Sequence, residues 1–203
     1  MIEKEEKPVL HLMVNNTCTN DCPLCCNKQY DVDKIPVVTV EELKSVETIC
    51  YTGGQPLLWM YPFVMLCNRI KKSYPNIKKE FVYINGDEIR RMGTQDLASL
   101  AGWNIDKHSN LISGLTMSPK CQNDWDGLKK LNEEAPDIFP WLLGKKIISA
   151  FKSNRIYCFS ENDVVRAKEI FPNGNVEIVR REWQKEFKPA PNTIFRRLPI
   201  WIS

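Results

Sequence analysis

The segment VLHLMVNNTCTNDCPLC, residues 9–25, joins a short apolar run to a loop that carries three cysteines. Residues 9–14 are rich in strand formers, and the turn-prone residues 15–17 follow them. The loop then places Cys18, Cys22 and Cys25 in a C-x3-C-x2-C spacing. We therefore predict that a buried strand delivers a cysteine loop.

The cysteine spacing suits a small metal cluster. Three thiolates this close together can wrap one cluster, and iron–sulfur clusters are normally held by cysteine thiolates. A cubane cluster with three protein ligands keeps one iron free for another molecule. Zinc is the alternative if a fourth ligand comes from Cys26, Cys50 or His11, although the x3 gap breaks the paired C-x2-C spacing that zinc often uses.

The other cysteines do not form a second motif. They stand singly inside apolar runs, where a free cysteine behaves as a small hydrophobe. These residues are Cys50, Cys67, Cys121 and Cys158. His11 lies in an apolar strand and is expected to be a core histidine, whereas His108 is expected in a solvated loop.

Predicted strands alternate with predicted helices along the rest of the chain. The strands are predicted at 48–52, 81–84, 111–117, 147–151, 156–159 and 176–179, and the helices at 41–46, 57–74, 94–101, 125–134 and 161–170. Such alternation indicates parallel βα units with helices on the outer face of the sheet. We predict an α/β fold in which six strands form an open, partial (βα)6 barrel.

Length and composition predict one domain over residues 1–203, with a cysteine loop at 15–28 and a packed, proline-rich tail at about 183–203. The formal net charge of +3 gives no large single-sign field, so neither nucleic acid nor a membrane surface is an expected partner. The amino terminus lacks a secretory pattern and no apolar run is long enough for a membrane span. We expect a cytoplasmic protein, where clustered cysteines are seldom disulfides.

A second motif, Thr52-Gly53-Gly54-Gln55-Pro56, follows the second predicted strand about 27 residues after the cysteine loop. The two motifs in this order resemble the radical S-adenosylmethionine (SAM) superfamily. The resemblance implies a (βα) barrel, a [4Fe-4S] cluster and SAM, which is cleaved to a 5′-deoxyadenosyl radical that abstracts hydrogen from a substrate. It also implies an electron donor such as flavodoxin or ferredoxin.

The resemblance assigns roles to individual residues. Cys18, Cys22 and Cys25 correspond to the cluster ligands, and Gly53 and Gly54 to the pair whose backbone meets the methionine amino group. Gln55 stands where the family usually has Glu. An amide still accepts a hydrogen bond from an ammonium group but loses the charge-assisted part, so weaker cofactor binding is predicted.

Three further correspondences are less specific. Leu24 takes the place of an aromatic residue that borders adenine in many members. Asn85, followed by Gly86, resembles an Asn-Gly after the third strand, and Ser118 resembles a polar residue that meets ribose. Asn-Gly is also an ordinary turn and Ser-Pro an ordinary strand ending.

The particular function stays open between three interpretations. Cys25-Cys26-Asn27-Lys28 resembles the Cys-Tyr-Asn of activating enzymes for anaerobic ribonucleotide reductase, which act on a partner protein. The chain length is also typical of 7-carboxy-7-deazaguanine synthase, which acts on a small molecule. A non-enzymatic metal-binding module, descended from such an enzyme, is the third interpretation, and Gln55 is its best support.

Overall fold

The computed structural model describes residues 7–93, 96, 100, 111–133, 151, 153–174, 176–186 and 188–202. They form an α/β fold around a seven-stranded sheet with the strand order β6-β5-β4-β3-β2-β1-β7. All six pairings between neighbouring strands are parallel. The strands are β1 Val9–Asn15, β2 Thr48–Gly53, β3 Lys79–Ile84, β4 Gly114–Met117, β5 Arg155–Cys158, β6 Glu177–Arg180 and β7 Thr193–Arg197.

The described α-helices follow the strands. They are α1 Val40–Ser45, α2 Met60–Ser73, α3 Gly86–Arg91, α4 Gln122–Glu133 and α5 Glu161–Ile170, with short 3-10 helices at Cys26–Gln29, Val32–Lys34 and Pro56–Trp59. Capping boxes begin α1, α3 and α5, where the side chains of Thr39, Asn85 and Ser160 accept a backbone N–H of the first turn. None of these helices is long and apolar enough to cross a membrane.

The two faces of the sheet differ in composition. Leu10, Leu12 and Val14 alternate along β1 and lie in one hydrophobic core with side chains from the described helices. The residues between them point to the opposite face, where His11 is beside Cys50 of β2 and Phe195 of β7. We call this second face, with Tyr83, Thr116, Arg155 and Tyr157 further along it, the polar face.

The α/β class and the parallel pairing agree with the sequence prediction. The predicted strands that begin near residues 9, 48, 81, 111, 156 and 176 all have counterparts in the sheet. The helix predicted at 94–101 and the strand predicted at 147–151 lie largely outside the described residues.

Two elements differ from the prediction. The helix α3 at Gly86–Arg91 was not predicted, and Asn85, for which the sequence left a cofactor contact and an ordinary turn open, is its N-cap. Residues 193–197, expected in a packed tail, form β7 and pair in parallel with β1. The described sheet therefore has seven strands instead of six, since the chain returns to cover the free edge of β1.

Candidate functional site

The cysteine loop leaves β1 at the carboxyl edge of the sheet and is attached to the end of β2. The N–H of Gly54 donates to the carbonyl of Asn15 over 3.0 Å, and the N–H of Gln55 donates to the carbonyl of Thr17 over 2.8 Å. The buried side chain of Asn15 donates back to the carbonyl of Gln55 over 2.9 Å. The two sequence motifs therefore meet through a ladder of backbone hydrogen bonds.

Glycine is required at the two positions that face this ladder. A Cβ on Gly53 would lie 2.1 Å from the carbonyl oxygen of Asn15, and one on Gly54 would lie 1.9 Å from that of Thr17. Gly53 also has a φ of +131°, which side chains rarely adopt. The Gly53 carbonyl accepts the side-chain amide of Asn27 over 2.8 Å, so the glycine pair holds the cysteine loop from both ends.

Gln55 is buried at the centre of the loop. Its Oε1 accepts both the backbone N–H and the hydroxyl of Thr19, each over 2.9 Å. Its Nε2 is buried and has no hydrogen-bond partner within the described part of the chain. A buried amide donor without an acceptor is costly, which makes this atom a candidate contact for a group that the structure does not contain.

The three cysteines of the motif differ in exposure. Cys18 is exposed, Cys22 is buried and Cys25 is partly buried. Burial raises the pKa of the Cys22 thiol to about 12, and the negative charge of Asp124 adds to this rise. Burial also raises the pKa of Cys18. Because a cysteine binds a metal as its thiolate, loading this loop with iron or zinc would release protons.

A cavity of about 220 Å³ opens between the cysteine loop and the carboxyl ends of β4 and β5. Leu24 lines it from the loop, Trp125 from α4 and Phe159 from the residue after β5. The charged side chains of Lys120, Asp163 and Arg166 line it as well, so the opening combines apolar and charged surface. Leu24 thus lines a cavity where the resemblance implies an adenine neighbour.

The two other expected cofactor residues lie at ends of neighbouring strands. Asn85 follows β3, and its Oδ1 accepts the N–H of Glu88 over 2.8 Å while its own N–H donates to the Glu88 carboxylate over 3.0 Å. Ser118 follows β4 and is partly buried. Asn85 therefore caps a helix, and any ligand contact would come in addition to that role.

Sequence reasoning missed two residues next to the loop. Cys121, expected to be a small hydrophobe, is half-buried with its Sγ 3.7 Å from the side-chain nitrogen of Asn20. The Sγ atoms of Cys22 and Cys121 and a carboxylate oxygen of Asp124 all lie within 4.8 Å of one another. Asp124 is fully buried and already accepts the backbone N–H groups of Gly86 and Lys120. The sequence gives no signal for this group, because Cys121 and Asp124 lie far along the chain from Cys22.

None of the other candidate zinc ligands joins that group. In the described ranges, no close trio of metal-ligating side chains includes Cys26, Cys50 or His11. His11 and Cys50 are neighbours on the polar face of β1 and β2. The ring of His11 packs against that of Tyr83, with centroids 5.7 Å apart.

Comparisons of the chain with models of known protein families, with curated proteins and with solved structures find no match. Three cysteines on one short loop offer the soft ligands that iron–sulfur clusters prefer. The unpartnered Nε2 of Gln55 and the neighbouring cavity leave polar and apolar contacts available for a second group. The donor types thus suit a cluster with an adjoining cofactor, but in the part of the chain that the structure describes neither Cys18 nor Cys25 belongs to a close trio of metal-ligating side chains.

Proposed function

We propose that the chain is a cytoplasmic radical SAM enzyme with a partial-barrel fold. The observation that carries the proposal is the hydrogen-bonded junction between the cysteine loop and Gly53-Gly54-Gln55 at the carboxyl edge of a parallel sheet. Ligands of parallel α/β folds usually bind at this edge. In this proposal Cys18, Cys22 and Cys25 hold a [4Fe-4S] cluster.

When bound, the cluster and SAM supply a 5′-deoxyadenosyl radical, which abstracts hydrogen from the substrate. The residues of the chain position these groups. Asn15, Gly53 and Asn27 fix the loop, and Leu24 with the cavity beside it contributes the apolar contact for adenine. Gln55 contributes a neutral side chain next to the loop, and an electron donor such as flavodoxin or ferredoxin would reduce the cluster.

The first test is anaerobic reconstitution with iron and sulfide, followed by dithionite and SAM and chromatography for 5′-deoxyadenosine. We expect a brown protein that forms 5′-deoxyadenosine. The Cys25→Ala variant should lose both cluster and product, because a cluster ligand is removed. Cys26→Ala is the matched control, since it removes the adjacent thiol and should keep both.

The outcomes distinguish an active enzyme from a non-enzymatic metal-binding module. A cluster without product would favour the non-enzymatic module, and absence of a cluster in the unaltered chain would refute the proposal. Equal loss in Cys25→Ala and Cys26→Ala would show that the ligand assignment is wrong. Formation of 5′-deoxyadenosine without added substrate is sufficient to show reductive cleavage of SAM. The test can therefore be made before the substrate is identified.

A metal-binding module is the second candidate, because Cys22, Cys121 and Asp124 are close enough to share one ion. Two thiolates and a carboxylate suit zinc. Metal analysis of the purified protein decides between the candidates. Zinc that is lost in Cys121→Ser supports the module, whereas an iron–sulfur cluster that survives Cys121→Ser supports the radical SAM proposal.

A further inference from the structure

Beyond the cysteine loop, the polar face of the sheet carries a second group of chemically active side chains. The ring of Tyr83 on β3 packs against His11 on one side and stacks on Tyr157 of β5 on the other, with centroids 5.7 Å and 6.4 Å away. The guanidinium carbon of Arg181, the residue after β6, lies 3.6 Å from the centre of the Tyr157 ring. Four side chains from four strands or their ends thus form one row across the sheet.

The charge balance of this row is positive. Arg155 also lies against Tyr157, but its guanidinium is paired with Glu177 over 2.6 Å. Arg181 has no such pair, because no carboxylate of a described residue forms a salt bridge with it. A stacked guanidinium keeps its N–H donors at the ring edge free for an oxyanion.

The other members of the row are neutral. Burial, followed by the positive charge of Arg181, lowers the pKa of His11 to about 4, so the imidazole is uncharged at neutral pH. Burial raises the pKa of Tyr83, which keeps its hydroxyl protonated. The row therefore offers one positive charge, neutral hydrogen-bonding groups and aromatic surfaces. This combination is complementary to a small organic anion.

We propose that Arg181, Tyr157, Tyr83 and His11 form a subsite for the carboxylate of a small-molecule substrate. The inference rests on the proposed function and deepens it, because it favours a small anionic substrate over a partner protein. Arg181 follows the carboxyl end of β6, and the cysteine loop follows that of β1. In a parallel sheet both therefore lie at the same edge, where a substrate would meet the cofactor.

The test uses the full chain, labelled with ¹⁵N-histidine and titrated with benzoate under NMR observation. The chain has two histidines, so a His108→Gln variant assigns the signals of His11. We expect saturable shifts of the His11 signals with benzoate and none with the neutral benzamide. Arg181→Met keeps an unbranched side chain but removes the guanidinium that lies over Tyr157, so it should weaken benzoate binding about tenfold.

Arg69→Met is the matched control, because Arg69 is exposed on α2 and lies outside the row. It should bind benzoate like the unaltered chain. Absence of benzoate binding, or equal binding by Arg181→Met, would overturn the subsite. Circular dichroism of both variants verifies that they are folded.

The carboxylate of SAM is the competing source of negative charge. If Arg181 serves the substrate, the SAM concentration for half-maximal 5′-deoxyadenosine formation is unchanged in Arg181→Met. A severalfold increase would assign the guanidinium to the cofactor and overturn the inference. The benzoate titration needs neither cluster nor SAM, so its failure and the failure of the proposed function are distinguishable.

Discussion

At the scale of single residues, Gln55 is where the chain departs from the radical SAM pattern proposed for it, which usually has Glu at this position. Its Oε1 has two donors from Thr19, while its Nε2 has no partner among the residues described. A glutamate here would keep the contacts with Thr19 and place a negative oxygen where Nε2 lies. An unpaired buried carboxylate is unfavourable until a cation approaches it.

We therefore predict opposite effects of Gln55→Glu on cofactor binding and on stability. SAM should bind about tenfold more tightly, because its ammonium group gains a charge-assisted hydrogen bond. The chain without SAM should be less stable to urea. Equilibrium dialysis of the reconstituted protein with SAM measures the affinity, and Gln184→Glu, at an exposed position, is the control. Unchanged affinity in Gln55→Glu would contradict the prediction.

At the scale of elements, the first turn of α3 is hydrogen-bonded to the segment that follows the glycine motif. Asn85 and Glu88 form its capping box, and the second function of Glu88 is to accept the N–H of Leu57 over 3.0 Å. Leu57 follows the glycine motif in a 3-10 helix. One buried carboxyl group therefore connects the end of β3 with the segment after β2.

This carboxyl group makes stability depend on pH. Burial raises the pKa of Glu88 to about 8 from an ordinary value of 4.5, and the charges of Asp124 and Asp87 also raise it. Between these values the folded chain binds a proton that the unfolded chain has lost. The free energy of unfolding should therefore fall as the pH rises from about 5 to 8, by at most about 1.4 kcal/mol per pH unit from this group.

Glu88→Gln should remove that contribution. We expect the variant to gain stability relative to the unaltered chain as the pH increases over this range, even though it loses part of the capping interaction. Urea unfolding at several pH values measures the difference, with the exposed Glu41→Gln as control. A difference between Glu88→Gln and the unaltered chain that stays constant with pH would show that Glu88 does not titrate there.

At the scale of the whole molecule, β7 connects the end of the described chain with its beginning. Ile194 lies beside Leu10 of β1 and packs against the hydrophobic core. Arg196, two residues further along β7, forms an ion pair with Glu42 of α1 over 2.6 Å. Because β1 delivers the cysteine loop, contacts of β7 also support the strand on which the site depends.

Ile194→Ala should lower the free energy of unfolding by about 1 to 2 kcal/mol, because a partly buried side chain is shortened and leaves a gap. Ile200→Ala, at a side chain with 81% exposure, should change it by less than about 0.5 kcal/mol. Urea denaturation followed by tryptophan fluorescence measures both. Similar values for the two variants would mean that β7 contributes little to the stability of the sheet.

Local patterns in the sequence predicted the parallel α/β class, the positions of six strands along the chain and the strand that leads into the cysteine loop. These features depend on short-range periodicity and turn residues, which a sequence displays directly. The capping role of Asn85 was not predicted, since Asn-Gly is equally typical of a turn. The roles of the cysteines and of SAM stay predictions until the reconstitution is done.

Only the tertiary structure decided which distant residues meet. It placed β7 on the edge of β1, Cys121 and Asp124 beside Cys22, and Arg181 over Tyr157. Most of these partners are far apart in the chain, and Arg181 meets Tyr157 only because β5 and β6 are parallel neighbours. Strand order and register, which are set by packing of the whole sheet and not by local propensity, bring them together.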